Sequence, residues 1–143
     1  MIEVSSAVSA APHAAWSAFT EPEHIMKWNF AGDDWCCPSC SNDLRVGGTL
    51  NSRMEARDGS FGFDFESTYT QVVEGSLLAL TMADGRRWEV EFSDEDGRTR
   101  VTERFDPEGE NPHDMQRMGW QMILGRNLTA YKLLGQILEP LVK

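Results

Sequence analysis

Two charged residues fall where the surrounding pattern places apolar side chains. Glu103 is in phase with Val101 and Phe105 in an alternating run, and Arg126 falls on the apolar arc of the C-terminal segment. An inward charge is costly unless it meets a partner or reaches water in a cavity. We therefore predict that Glu103 pairs with Arg126, or that either residue orients a polar group of a ligand. The alternatives are that Glu103 lies at a bulge or strand end and that Arg126 snorkels along the helix edge.

The cysteines lie close together, in the segment WCCPSC at residues 35–40. An odd, clustered set does not form a disulfide framework. Cys37 and Cys40 have the C-x-x-C spacing, but a redox pair normally opens a helix after a strand. A zinc site needs further ligands, and the chain has no second C-x-x-C and no H-x-x-x-H. We therefore expect reduced thiols in a loop, no metal and no cofactor.

Catalytic and nucleotide-binding motifs are missing from the sequence. There is no G-x-S-x-G, no Walker A motif and no dinucleotide-binding glycine pattern. The formal charge of −10 repels phosphate backbones and anionic membranes, which argues against nucleic acid as a partner. No window approaches the roughly 18 apolar residues of a membrane span. We expect a cytoplasmic protein with no membrane insertion and no assigned catalytic residue.

Alternation of apolar and polar residues predicts about six strands. A first strand at residues 2–8 is followed by two short helices, each opening on a proline, Pro12 and Pro22. Five more strand-like runs, joined by X-Gly turns, lie between Leu44 and Phe105 and are typical of an antiparallel meander. Between the second helix and these five runs, residues 29–42 are rich in Gly, Asp, Pro, Ser and Cys, which predicts a long surface loop.

The C-terminal run from Asn111 to Lys143 predicts one long helix with Asn111 as its N-cap. At about 100° per residue its apolar arc is broad, so it must lie across a large surface. We predict an α+β fold in which a curved antiparallel sheet wraps this helix. The apolar arc includes Met115, Met118, Gly119, Met122, Ile123, Ala130, Leu133, Leu134 and Ile137.

A sheet curved around a helix leaves a concave space, and aromatic and methionine side chains are predicted to form its walls. Ser52, Ser67, Tyr69 and Gln71 fall in phase with the inward residues and would supply polar groups. The loop at 29–42, which carries Trp35, is the predicted lid. The predicted ligand-binding residues are Trp28, Trp35, Met54, Phe65, Tyr69, Trp88, Phe92, Glu103, Met118, Met122 and Arg126.

Six stretches cover most of the chain and carry a resemblance: EPEHIMKW (21–28), DLRVGG (43–48), RMEARDGSFGFDFESTYTQVV (53–73), DGRRWEVEF (84–92), TRVTERFDPE (99–108) and MQRMGWQMIL (115–124). Together they resemble the family of activator of heat-shock-protein-90 ATPase homologue-like proteins, within the START or SRPBCC superfamily. The resemblance implies a single helix-grip domain over residues 1–143, with a cavity between the sheet and the C-terminal helix. Members of the superfamily bind hydrophobic molecules, and a minority catalyse reactions in that cavity.

We therefore expect a protein that binds a small hydrophobic or amphipathic molecule. One alternative is an enzyme of the cyclase or hydrolase kind that uses Glu103 or Tyr69 as acid or base. Another is a module that binds a chaperone and needs no internal ligand; a homodimer is also left open. A tightly filled interior would favour the chaperone module.

Overall fold

The computed structural model describes residues 1–30 and 32–124, which form an α+β fold. Seven strands make one strongly curled antiparallel sheet in the order β1-β7-β6-β5-β4-β3-β2. This confirms the predicted fold class and the helix-grip arrangement. The strands are β1 (Ile2–Val8), β2 (Trp35–Asn42), β3 (Thr49–Ala56), β4 (Gly62–Val73), β5 (Leu77–Met82), β6 (Arg87–Glu95) and β7 (Arg98–Phe105), and the helices are α1 (Pro12–Thr20), α2 (Pro22–Trp28) and α3 (His113–Gln121).

The inner face of the sheet carries the core, as the alternation predicts. Strands β5, β6 and β7 bury every second residue, and Val90 and Val101 are fully buried. Helices α1 and α2 begin at the two prolines and pack on the same face. In the described part of the chain, no helix is long and apolar enough to cross a membrane.

The predicted loop at 29–42 is wrong for most of its length, because residues Trp35–Asn42 form the edge strand β2. A register shift between Cys36 and Ser39 accommodates Pro38. Proline lacks the N–H of a ladder hydrogen bond and is tolerated at edges and bulges. The Cys-Pro-Ser composition hides this strand from pattern analysis, and it raises the strand number from the predicted six to seven.

A second difference lies on β4, where the register shifts between Tyr69 and Gln71. The shift reverses the alternation, so that Gln71 is exposed while Val72 packs against the core. The prediction that Gln71 faces inward is therefore wrong. Upstream of β3, the predicted strand residues Leu44 and Val46 lie in a turn and are exposed.

Helix α3 buries only part of the predicted apolar arc. Met115 and Met118 are 58% and 65% exposed, whereas Trp120, which was not on the arc, packs against the core. Ile123, which was on the arc, packs against the core as well. The helix begins at His113 with Pro112 as N-cap, one residue later than predicted. The predicted helical residues from 125 to 143 lie outside the described part of the chain.

Polar side chains hold α3 in this rotation. The Gln121 side chain donates to the carbonyl of Ser5 on β1 at 3.0 Å. Gln116 accepts from the Glu108 amide at 2.9 Å and donates to the Asn111 carbonyl at 2.8 Å. The indole of Trp120 is thereby turned toward the sheet.

Candidate functional site

A cavity of about 330 Å³ lies between the curled sheet and the helices. This volume is within the range of small-molecule sites, which are mostly apolar with a few placed polar groups. Side chains from β2, β3, β4, β6, β7 and all three helices contribute. The described lining residues are Phe19, Ile25, Trp28, Asn29, Trp35, Leu50, Ser52, Met54, Phe63, Phe65, Trp88, Glu103, Trp120 and Ile123.

An aromatic cluster forms one wall. Trp120 stacks on Phe105, with ring centroids 3.9 Å apart and planes 12° from parallel. Trp88 meets Trp120 edge-on at 5.6 Å, and Phe65 meets Trp88 edge-on at 5.7 Å. Edge and stacked pairs of this kind each add to the stability gained from burial alone. The wall therefore joins β4, β6, β7 and α3 into one rigid surface.

Glu103 brings a carboxyl group to this wall. The residue is only 4% exposed, and the Trp88 indole Nε1–H donates to its Oε2 at 3.0 Å. Burial raises the pKa of Glu103 from an ordinary value to about 8, against a smaller lowering by the Trp88 hydrogen bond. At neutral pH the carboxyl group is therefore mainly protonated and is able to donate a hydrogen bond as well as accept one.

A second polar group lies at Ser52 on β3. Its hydroxyl accepts from the Asn29 side-chain amide at 3.4 Å and lies 3.6 Å from the Cys40 sulfur. Ser52 and Asn29 both line the cavity. The cavity thus has polar groups on two strands, β3 and β7, with apolar side chains between them.

Burial favours the thiol over the thiolate at Cys37 and Cys40. Burial raises the pKa of Cys37 to about 11 and also raises that of Cys40. A thiol is a poorer nucleophile than its thiolate, so burial lowers the reactivity of these two cysteines. Within the described ranges, the cysteines also do not meet two further ligand side chains at metal-binding distance.

Tyr69 has a different place from the predicted one. It is 1% exposed but is not among the described cavity-lining residues. Its hydroxyl donates to Asn42 Oδ1 at 2.6 Å, and the Asn42 amide donates to the Thr20 carbonyl at 2.7 Å. Burial raises the pKa of Tyr69 to about 12. This chain of hydrogen bonds ties β4 to β2 and to α1.

The structure brings together part of the predicted site. Phe92 instead packs against Trp16 and Phe19 under α1, with ring centroids at 5.3 and 5.7 Å. Met118 is exposed, and Met122 is absent from the described lining. Arg126, and with it the predicted pairing to Glu103, lies outside the described residues. The predicted residues that line the cavity are Trp28, Trp35, Met54, Phe65, Trp88 and Glu103.

Sequence reasoning missed other lining residues. Ile123 was on the predicted apolar arc but was not named as a ligand-binding residue, and Trp120 lies three residues before it on the same helix face. Phe63 continues the inward phase of β4 and was readable too. It meets Trp35 at 6.2 Å and Phe61 at 6.0 Å. The rings of Trp35, Phe61 and Phe63 are partly exposed and lie at the end of the sheet formed by β4, β3 and β2.

Comparison with known proteins identifies relatives of the whole fold. The family model described as "Activator of Hsp90 ATPase homolog 1-like protein" matches residues 9–132. Comparison with curated proteins gave no significant match.

Two solved structures are similar in sequence as well as in fold. The AHSA1-like protein from Aeromonas hydrophila is 37% identical, with a TM-score of 0.85 and 95% of each chain covered. The protein Chr148 from Cytophaga hutchinsonii is 40% identical, with a TM-score of 0.80 and 94% and 93% of the chains covered. Protein CV1439 from Chromobacterium violaceum, at 21% identity and a TM-score of 0.79 over 90% and 94% of the chains, shares the fold. The chain belongs to the activator of Hsp90 ATPase homologue 1-like family, within the START/SRPBCC superfamily.

Proposed function

We propose that this protein binds a small, mainly hydrophobic molecule in the cavity between sheet and helices. The observation that carries the proposal is a space of about 330 Å³ with aromatic walls and polar groups at Glu103 and Ser52. An interior built for stability alone is close-packed and leaves few voids larger than a water molecule. The cavity also weighs against the chaperone-binding alternative, which needs no internal space. A cytoplasmic location remains our expectation.

The same geometry sets the affinity expected for a minimal probe. Ethylbenzene has eight non-hydrogen atoms, and at about 0.5 kcal/mol per atom its binding free energy is about −4 kcal/mol. This corresponds to a Kd on the order of 1 mM. A natural ligand that fills more of the cavity will bind more tightly.

The first experiment is native mass spectrometry of gently purified protein, followed by denaturing extraction of any retained compound. In parallel, ethylbenzene is titrated while the indole N–H signals of Trp28, Trp88 and Trp120 are followed by NMR. We expect saturable shifts of these three signals. A protein without a retained compound and without saturable shifts would contradict the proposal.

A matched pair of variants locates the binding. Met54 lines the cavity, whereas Met118 is 65% exposed on the outer face of α3. We expect Met54→Trp to fill part of the cavity and to weaken ethylbenzene binding about tenfold or more, by steric exclusion. Met118→Trp makes the same chemical change outside the cavity and should leave the Kd unchanged. Equal effects of the two substitutions would place the binding elsewhere.

Glu103 favours one second candidate, an enzyme that acts in the same cavity. A buried carboxyl group with a pKa of about 8 is suited to donate or accept a proton near neutral pH. For an enzyme, Glu103→Gln should abolish turnover of the extracted compound while its affinity stays largely intact. Equal loss of turnover and affinity would count against catalysis.

A further inference from the structure

The polar end of the cavity is set by the immediate surroundings of Glu103. One carboxyl oxygen, Oε2, accepts from the Trp88 indole. The other oxygen, Oε1, has no hydrogen-bond partner among residues 1–30 and 32–124, and the side chain lines the cavity. The aromatic rings of Trp88 and Trp120 flank this point. Oε1 is not one of the fully buried unpartnered atoms of the described residues, which are Asn51 Oδ1 and Ser67 Oγ, so it is accessible from the cavity. A ligand in the cavity can therefore supply its hydrogen-bond partner.

The groups that face Glu103 are uncharged in the described part of the chain. Its register partners are Val4 on β1 and Val90 on β6, and its same-face neighbours on β7 are Val101 and Phe105. The helices contribute Phe19 from α1, Trp28 and Ile25 from α2, and Trp120 from α3 to the same cavity, and Ile123 lies two residues after α3.

Charges on the neighbouring strands lie on the opposite face of the sheet. There Arg104 forms ion pairs with Glu3 at 2.8 Å and with Glu91 at 3.0 Å. These three residues alternate with the buried ones along β1, β6 and β7. Among the described residues the Glu103 carboxyl group therefore has no counter-charge, and burial favours its neutral form.

We propose that Glu103 is the polar anchor of the cavity and donates a hydrogen bond to the carbonyl oxygen of an uncharged, otherwise hydrophobic ligand. The inference rests on the proposed function and names the class of molecule bound. The proton on Oε1 is donated to the ligand carbonyl oxygen, while Oε2 accepts a hydrogen bond from the Trp88 indole N–H. Aromatic side chains then cover the apolar remainder of the ligand.

Anionic and cationic ligands fit these surroundings less well. An anion meets no cationic side chain among the described lining residues, and the formal charge of −10 repels it. A cation requires Glu103 to lose its proton in a site where burial disfavours the charged form. A neutral carbonyl group requires neither a cationic side chain nor the ionisation of Glu103.

Acetophenone and ethylbenzene are suitable probes because they differ by one carbonyl oxygen. Each is titrated by NMR at pH 6.5 and at pH 9.5, and benzyltrimethylammonium serves as a cationic probe of fixed charge. With the carboxyl group protonated, the ratio of acetophenone to ethylbenzene affinity should be roughly fivefold higher than with the carboxylate. We expect this ratio to fall as the pH rises through about 8, the pKa of Glu103.

Substitutions separate the anchor from general pH effects. In Glu103→Gln the amide keeps a donor at every pH and its oxygen still accepts from Trp88, so the ratio should become independent of pH. Glu103→Leu removes the donor, and its ratio should be low at both pH values. Glu66 is exposed on β4, and Glu66→Gln should leave the pH dependence of the wild type unchanged.

The results distinguish a failure of the proposed anchor from a failure of the proposed function. If ethylbenzene binds but the ratio does not change with pH or with Glu103→Leu, the anchor is refuted while the cavity function stands. If benzyltrimethylammonium binds best and its affinity rises with pH, the site is a carboxylate for organic cations. If no probe binds, the proposed function fails and takes the anchor with it.

Discussion

The substitution Glu103→Gln isolates the free energy of ionising a carboxyl group inside the cavity. Glutamine has nearly the same shape and keeps the hydrogen bond from Trp88, but it does not titrate. In the folded wild type the pKa of Glu103 is about 8, compared with 4.5 for an unperturbed glutamate. The native state therefore holds a proton that the unfolded chain has already released between these two values.

The sign and size of the effect follow from proton linkage. Because the native state binds more protons, raising the pH from about 5 to 8 destabilises the wild type, by roughly 1.4 kcal/mol per pH unit. The total approaches about 5 kcal/mol when the pH exceeds the folded-state pKa, and this contribution to stability is fully present only below about pH 4.5. Glu103→Gln should be close to the wild type at pH 5 and clearly more stable at pH 8.

Urea denaturation of both proteins at pH 5, 6, 7 and 8 measures this difference. The other titrating groups are shared, so they cancel when the free energies of unfolding are subtracted. Glu66→Gln provides an exposed control, whose difference from the wild type should stay small at every pH. A Glu103→Gln difference that does not grow between pH 5 and 8 would show that the carboxylate has a counter-charge and would refute the picture of a neutral buried acid.

Two further substitutions test the surroundings of the site. Trp120→Ala removes the ring stacked on Phe105 at 3.9 Å and should lower the free energy of unfolding by about 3 kcal/mol in urea denaturation. The exposed control Met118→Ala should change it by less than about 0.5 kcal/mol. Equal losses would contradict the observed rotation of α3. Tyr69→Phe leaves the half-buried Asn42 amide oxygen without its donor and should lower the free energy of unfolding by about 1 kcal/mol in the same assay. Calorimetry should show unchanged ethylbenzene binding because Tyr69 is not among the described lining residues, and weakened binding would place Tyr69 at the ligand.

The local pattern was sufficient where one face of a strand is buried and a glycine turn sets the register. Leu78 and Leu80 on β5 and Trp88 on β6 face inward as the alternation predicts, and Gly75 and Gly85 adopt the positive φ that such turns require. The same holds for Glu103, whose inward position was read from its phase alone.

Local pattern failed where long-range pairing or a bulge decides. The strand β2 contains Pro38 and polar residues and is held mainly by its ladder to β3, which leaves no trace in its own sequence. Gln71 follows a register shift, and one extra residue reverses every later side chain. On α3, the helical projection turned Met115 and Met118 inward and left Trp120 off the apolar arc. The Trp120 stack and the polar contacts of Gln116 and Gln121 set the actual rotation.

The packing of the interior is uneven, and this unevenness is the main support for the proposed binding site. Beneath α1, Trp16, Phe19 and Phe92 meet in edge-on contacts and fill the space, as a core built for stability requires. Beneath α3 the same sheet carries a cavity, a buried acid at Glu103 and a hydroxyl at Ser52. An apolar side chain at position 103 would avoid the burial of a carboxyl group, so stability does not explain the acid there. Polar groups that break the local pattern beside an open cavity are expected at functional sites, because there the ligand supplies the missing partner.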